Sequence, residues 1–319
     1  MSSIIFYKYG QAAVFTLACL LFNLSFSNRV AASEPSRAAE TPIPDEAFGD
    51  SQTISFKWRP KIGSSAAYRM DAVEDQHRII LFDGAAKNTS PIVLIGFHGQ
   101  PARNKNPGDY MFPGPVEAVV RKMISDKVIP PVILVLPVFR FVGQNWPGFD
   151  LVEFKKKIEE ILSDRKIIPK RWLLFGHSGA AGCGGDGLNQ AAQISPEAVG
   201  FFDTCLGAGW QDAVKALRAA KVPTVNLHSV ETAGFRPRQH PEYKSNFDFG
   251  RAYAPLGLRP VKCPSLLPEA PLRDQPYRCA ATPDGIVEAY VVNTGEGQEA
   301  HIRLLPEALS YFLRRFLSR

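Results

Sequence analysis

Hydrophobic and polar positions divide the chain into stretches of different character. A basic start (Lys8) leads into an apolar stretch from Ala12 to Phe26, and Val30-Ala31-Ala32 then offers small residues at cleavage positions. Residues 1–32 therefore read as a secretory signal peptide, too short for a membrane span and followed by polar sequence. Residues 33–50, rich in Ser, Ala, Pro and Glu, read as a disordered leader. Three β-like runs follow at Thr53–Trp58, Ala66–Met70 and Arg78–Phe82, separated by polar or Gly/Pro breaks, and predict antiparallel opening strands. From Pro91 continuous apolar runs alternate with helical spacings. Ile92–Phe97 and Val132–Leu136 have the unbroken hydrophobicity of strands buried on both faces. Pro115–Lys127 has helical spacing with proline at its start. Asp150 with Glu153 three residues on forms a capping-box arrangement, and Leu151, Phe154, Ile158 and Ile161 make the inner stripe of the helix it opens.

The alternation continues through Arg171–Gly176, Ala198–Asp203, a helix over Gln211–Ala220, a strand over Val222–His228, a strand over Ile286–Val292 and a helix over Pro306–Leu317. Strands alternating with helices predict an α/β fold: a mostly parallel sheet with helices on both faces and antiparallel strands at its amino-terminal end. Residues 51–319 read as one domain of this kind. Only Phe235–Pro283 breaks the rhythm, with nine prolines and two cysteines. It reads as an insertion at about 235–283, either a lid or substrate wall or a surface excursion.

The chemistry centres on Arg171-Trp172-Leu173-Leu174-Phe175-Gly176-His177-Ser178-Gly179-Ala180-Ala181-Gly182. An apolar strand ends on glycine, serine follows after one residue, and small residues come next. This is the pattern of a nucleophile elbow, in which a serine sits on a strained turn between a strand and a helix packed close to it. Ala180 stands where G-x-S-x-G has glycine, and its extra methyl is tolerated if the residue facing it is small. A dinucleotide-binding turn with Asp203 on the ribose is a poorer reading, because glycines at 176, 179 and 182 do not make G-x-G-x-x-G.

A serine hydroxyl needs a base to activate it and a third group to orient that base. Of the six histidines, His301 lies between the last predicted strand and helix, after every candidate acid in the chain, giving the order Ser, acid, His. His77 and His228 read as satisfied core histidines, His240 lies in the proline-rich stretch, and the His177 side chain points away at the turn. Asp203, ending the strand after the elbow strand, is the first candidate acid and Glu231 the alternative; both fall at the carboxyl edge of the sheet. An oxyanion needs N–H donors fixed in advance. Gly179 supplies one and Gln100 the other, in the His98-Gly99-Gln100 turn after Phe97, with His98 shaping that turn.

Phe97-His98-Gly99, Gly176-His177-Ser178-Gly179 and His301 together resemble the α/β-hydrolase superfamily, over about residues 91–319. More narrowly, Val138–Phe154 with Trp146-Pro147-Gly148-Phe149, and Phe202-Asp203-Thr204, resemble a group of exported bacterial hydrolase-like proteins of undefined substrate. The resemblance implies a Ser–Asp–His triad of Ser178, Asp203 and His301, no metal or cofactor, and cleavage of an ester or amide.

Charge and cysteines place the chemistry. Without residues 1–32 the chain keeps 35 basic against 31 acidic side chains, too mild an excess to argue for nucleic acid. Cys183, Cys205, Cys263 and Cys279 also remain, an even count that in an exported chain suggests two disulfides with three possible pairings. Cys183–Cys205 would tie the elbow helix to the neighbouring strand, and Cys263–Cys279 would close a loop. No C-x-x-C or H-x-x-x-H spacing supports zinc. The sequence thus predicts a periplasmic or secreted serine hydrolase with no stable membrane span after cleavage, acting on a small-molecule or cell-envelope substrate. The alternative is a non-catalytic hydrolase-fold binding module of the cell envelope. Tyr110, Trp146 and Trp210 are candidate pocket residues, and Arg236 and Arg238 candidate contacts for an anionic group.

Overall fold

The continuous apolar runs form the middle of one sheet. The computed structural model describes residues 51–58, 76–99, 114–138, 146, 148–180, 186–204, 208–229, 253–264, 276–292 and 297–318. The strands are β1 (Ser51–Lys57), β2 (Gln76–Phe82), β3 (Ile92–Phe97), β4 (Ile133–Leu136), β5 (Arg171–His177), β6 (Ala198–Phe202), β7 (Thr224–Ser229), β8 (Arg259–Pro260), β9 (Pro276–Ala281) and β10 (Val287–Val292). They join in the order β1-β2-β4-β3-β5-β6-β7-β10-β9-β8. β4, β3, β5, β6, β7 and β10 run parallel. β1 and β2 at one end, and β9 and β8 at the other, are antiparallel additions.

Every residue of β3, β4, β6 and β7 is buried, and all but the first of β5. Neither face of the central sheet meets water, so these strands need no polar alternation. β1, at the edge, has no buried residue. Successive side chains still point to opposite faces. Val93, Ile95 and Phe97 pack with Leu151, Phe154 and Ile158 of α2 (Leu151–Ser163) and with Trp210 and Leu217 of α3 (Ala208–Ala219). Ile92 and Leu94 pack on the other face with Val116 and Val120 of α1 (Gly114–Ser125) and Leu305, Leu309 and Phe312 of α4 (Gly297–Leu317). The Asp150 carboxylate caps α2 by accepting the Glu153 N–H at 2.9 Å. Glu153 turns instead to Lys156, at 2.7 Å, so the cap is one-sided. Leu162, rather than Ile161, completes the buried stripe.

Three elements differ from the sequence expectation. The segment after the elbow is described as a 3-10 helix over Gly187–Ile194 rather than an α-helix. α4 begins at Gly297 and passes through Pro306, which the sequence reading placed at its start. Interior proline is unfavourable, but burial of Leu304, Leu305, Ala308 and Leu309 against the sheet overrides it. Finally, part of the proline-rich stretch belongs to the sheet, since β9 pairs with β10 and β8 with β9. There it is edge structure. A disulfide between Cys263 and Cys279 ties the chain after β8 to β9, with Cα atoms 5.2 Å apart. Cys183 and Cys205, the expected strand at Ala66–Met70, the signal peptide and the leader lie outside the described residues. No helix among the described residues is long and apolar enough to cross a membrane.

Candidate active site

Two neighbouring strand tips carry side chains in backbone conformations that favour glycine. Ser178, following β5, has φ 58°, and Asp203, following β6, has φ 50°. Such residues cost about 1–3 kcal/mol each and persist only where their surroundings hold them. Ser178 opens one turn of 3-10 helix, Ser178–Ala180, and the turn is tight. A Cβ on Gly176 would lie 2.7 Å from the Ala180 Cβ and 2.9 Å from Leu188 Cδ2. Gly176 is therefore the small facing residue that makes room for the Ala180 methyl.

Asp203 is 2 % exposed and fully engaged. Its Oδ1 accepts the Ser229 N–H at 2.9 Å; its Oδ2 accepts the Ser229 Oγ–H at 2.7 Å and the His301 Nδ1–H at 2.7 Å. Burial pushes this carboxyl up, but the bond and charge of His301, with His228 and Ser229, outweigh it and hold Asp203 below the usual carboxylate range. A carboxylate only accepts, so Nδ1 carries the proton and the Nε2 lone pair of a neutral His301 is left to act as a base. His301 lies on α4 itself, not in a loop before it. Its ring packs on that of His177, centroids 4.3 Å apart and tilted by 33°, which sets it beside the elbow.

The tip of β3 closes the other side. A Cβ on Gly99 would stand 2.5 Å from the Ser178 Cβ and 3.0 Å from its Oγ, so only glycine lets this turn approach the serine. The His98 Nδ1–H donates to the Gly99 carbonyl at 2.6 Å, and Trp146 Nε1–H donates to the His98 carbonyl at 3.1 Å. Gly99→Ala is accordingly expected to lower kcat/KM on a short p-nitrophenyl ester by at least tenfold, about the effect of displacing a reacting group by a fraction of an ångström. Unchanged kinetics would show that this approach is irrelevant to turnover.

Gly179 is buried directly after Ser178. Gln100, Glu231, Tyr110, His240, Arg236 and Arg238 lie outside the described residues. Trp146 and Trp210 are wholly buried and line no open surface. Trp146 packs edge-on against Phe97 and Phe149, and Trp210 donates to Asn226 Oδ1 at 3.0 Å. His77 is the satisfied core histidine expected, with Nε2–H donating to the Trp58 carbonyl at 3.0 Å and Nδ1 accepting the Val138 N–H at 3.1 Å. His228 is buried but not satisfied: neither ring nitrogen has a hydrogen-bond partner among the described residues. The rings of Trp210 and Tyr253 pack around it. No group of three or more His, Cys, Asp or Glu among the described residues is placed to hold a metal ion.

No protein-family model matches the chain, and no curated protein matches it. Solved structures do overlap it. A ferulic acid esterase gives a TM-score of 0.48 at 13% identity, covering 84% of this chain and 100% of that one. A variant of the feruloyl esterase module from Clostridium thermocellum, complexed with sinapinate, gives 0.45 at 11%, covering 85% and 92%. An S-formylglutathione hydrolase from Agrobacterium tumefaciens gives 0.44 at 12%, covering 84% and 95%. The strand order, together with a left-handed serine at the tip of β5, decides the architecture. The chain has the α/β-hydrolase fold.

Within this fold two polar contacts escape a reading by motif. Ser229 gives Asp203 both a main-chain and a hydroxyl donor. It is the last residue of β7, and the Asp203 N–H donates to the Leu227 carbonyl at 2.7 Å, so the contact depends on the β6–β7 register. His177 turns inward, not away, and its Nε2–H donates to the main-chain carbonyl of His301 at 2.9 Å. In sequence it is only the variable position of the elbow.

Proposed function

We propose that this protein is a serine hydrolase that cleaves an ester or amide through an acyl-enzyme. Ser178 is the nucleophile, His301 the general base and then the general acid, and Asp203 the carboxylate that orients His301. The observation that carries the reading is the hydrogen bond from His301 Nδ1–H to a buried Asp203, beside a serine held left-handed at the tip of β5. Ser178 Oγ attacks the acyl carbon while His301 Nε2 takes its proton. The oxyanion is held by the N–H groups of Gly179 and Gln100, each such donor contributing about 2.7–4 kcal/mol in the transition state. Collapse returns the proton from His301 to the leaving alcohol or amine. Water, activated by the same imidazole, then releases the acid and restores Ser178. No cofactor takes part.

The site of action in this reading is outside the cytoplasm, after removal of residues 1–32, on a small-molecule or cell-envelope acyl substrate. The apolar amino-terminal run and the Cys263–Cys279 disulfide support export. Pre-steady-state hydrolysis of p-nitrophenyl acetate tests the mechanism. A burst of one p-nitrophenol per protein, followed by slower turnover and absent from Ser178→Ala, is expected. A folded wild-type protein giving neither burst nor turnover would favour the non-catalytic binding module.

A further inference from the structure

Among the described residues the His177 side chain makes one hydrogen bond, and it is to the proposed base. The side chain is fully buried, so it touches no substrate. Its Nε2–H donates to the His301 carbonyl at 2.9 Å, its ring lies 4.3 Å from the His301 ring, and its Nδ1 has no partner among the described residues. Burying an imidazole with one nitrogen unmatched is unfavourable, so an apolar side chain would suit this place better if filling space were all it required. The helix that carries His301 also has a weakness close by. Pro306 has no N–H for the carbonyl of Ile302, so α4 lacks a rung one residue beyond His301.

We infer that His177 is a positioning residue for His301, joining the strand that presents Ser178 to the helix that presents the base. The inference rests on the catalytic reading of Ser178, Asp203 and His301. β5 and α4 meet at the carboxyl edge of the sheet, and the His177 contact fixes their spacing there. Ser178 follows His177 directly, so one residue sets both sides of the proton transfer. The tilted His177 ring packs against the His301 ring while Asp203 holds its edge. Loss of the main-chain bond lets the helix end drift while the bond to Asp203 persists as a looser contact.

Two amides separate this role from packing. In His177→Gln the side-chain N–H₂ reaches about as far as Nε2–H, and in His177→Asn it reaches only as far as Nδ1. H177N is expected to react with a fluorophosphonate probe roughly 10–100-fold more slowly than wild type, as misplacement of a reacting group predicts, and H177Q within about threefold. The second readout does not depend on turnover: the low-field proton resonance of His301 Nδ1–H, assigned by its loss in His301→Gln. It should keep its shift and width in H177Q and broaden or move upfield in H177N. Should H177N not fold, His177→Phe keeps the ring, lacks the donor, and is expected to behave as H177N. Equal behaviour of both amides in both readouts, whether wild-type or equally impaired, would overturn the inference. A wild-type protein that is never labelled, but whose resonance separates the two amides, would instead overturn the proposed function and leave the contact standing.

Discussion

Asp203→Asn is expected to lower kcat on a p-nitrophenyl ester by about 10³–10⁴ while leaving the protein folded. Asparagine matches aspartate in size and accepts the left-handed backbone more readily than most residues, so φ 50° at this position is no obstacle. Its carbonyl oxygen can take the place of Oδ1 and accept the Ser229 N–H. The amide nitrogen then replaces Oδ2, where the His301 Nδ1–H and the Ser229 Oγ–H are both received. Two donors now face each other, and His301 relieves the clash by moving its proton to Nε2. An imidazole protonated there cannot accept the Ser178 proton. Steady-state kinetics with a thermal melt make the check: kcat should collapse while the midpoint changes by only a few degrees, about 1 kcal/mol in a domain of this size. Activity within tenfold of wild type would remove Asp203 from the mechanism, and a collapse in Glu231→Gln would then identify the alternative acid.

The fold itself should be lost between about pH 6 and pH 4. Burial pushes His77, His98 and His228 down from 6.5 to about 4. Burial, reinforced by the neighbouring His301, takes His177 to about 3, the Asp203 charge offsetting only part of this. All four are neutral in the native state, whereas in the unfolded chain they titrate near 6.5. Between those values the unfolded state binds up to four protons that the native state refuses, so stability falls as pH falls. Each proton contributes about 1.4 kcal/mol per pH unit. Across two units the loss reaches at most about 11 kcal/mol, comparable with the roughly 5–15 kcal/mol that holds a domain together. Near-ultraviolet circular dichroism against pH follows the transition, and a native signal persisting at about pH 3.5 would contradict it. His228→Leu sharpens the test. It removes a buried imidazole with no hydrogen-bond partner among the described residues. Replacing such a group by an apolar one is neutral or stabilising, and the acid midpoint should move to lower pH.

The central strands were legible because a strand covered on both faces must be apolar throughout, as Ile92–Phe97, Val132–Leu136 and Leu173–Phe175 are. The Asp150 cap was legible for a similarly local reason, since a helix start needs an acceptor there. α4 was misread at its beginning because Pro306 suits a first turn so well, and only the packing of Leu304 and Leu305 on the sheet reveals that the helix is already under way. β8 is only two residues long and β9 has no apolar run to mark it; pairing with β10 makes β9 a strand, and pairing with β9 makes β8 one. Within the candidate site, Ser178 and the turn at Gly99 carry their own local constraints. Ser229 and the inward turn of His177 arise from register and helix placement, which no single stretch of sequence encodes.

The central claim is that Ser178 Oγ is a nucleophile activated by His301. Reaction of the purified protein with a fluorophosphonate, followed by proteolysis and mass spectrometry, tests it most directly. One phosphonyl group per chain is expected, on Ser178, with none on Ser178→Ala and a rate at least a thousandfold lower in His301→Gln, in keeping with removal of a triad base. Label on another residue, or a folded wild-type protein that takes up none, would contradict the account.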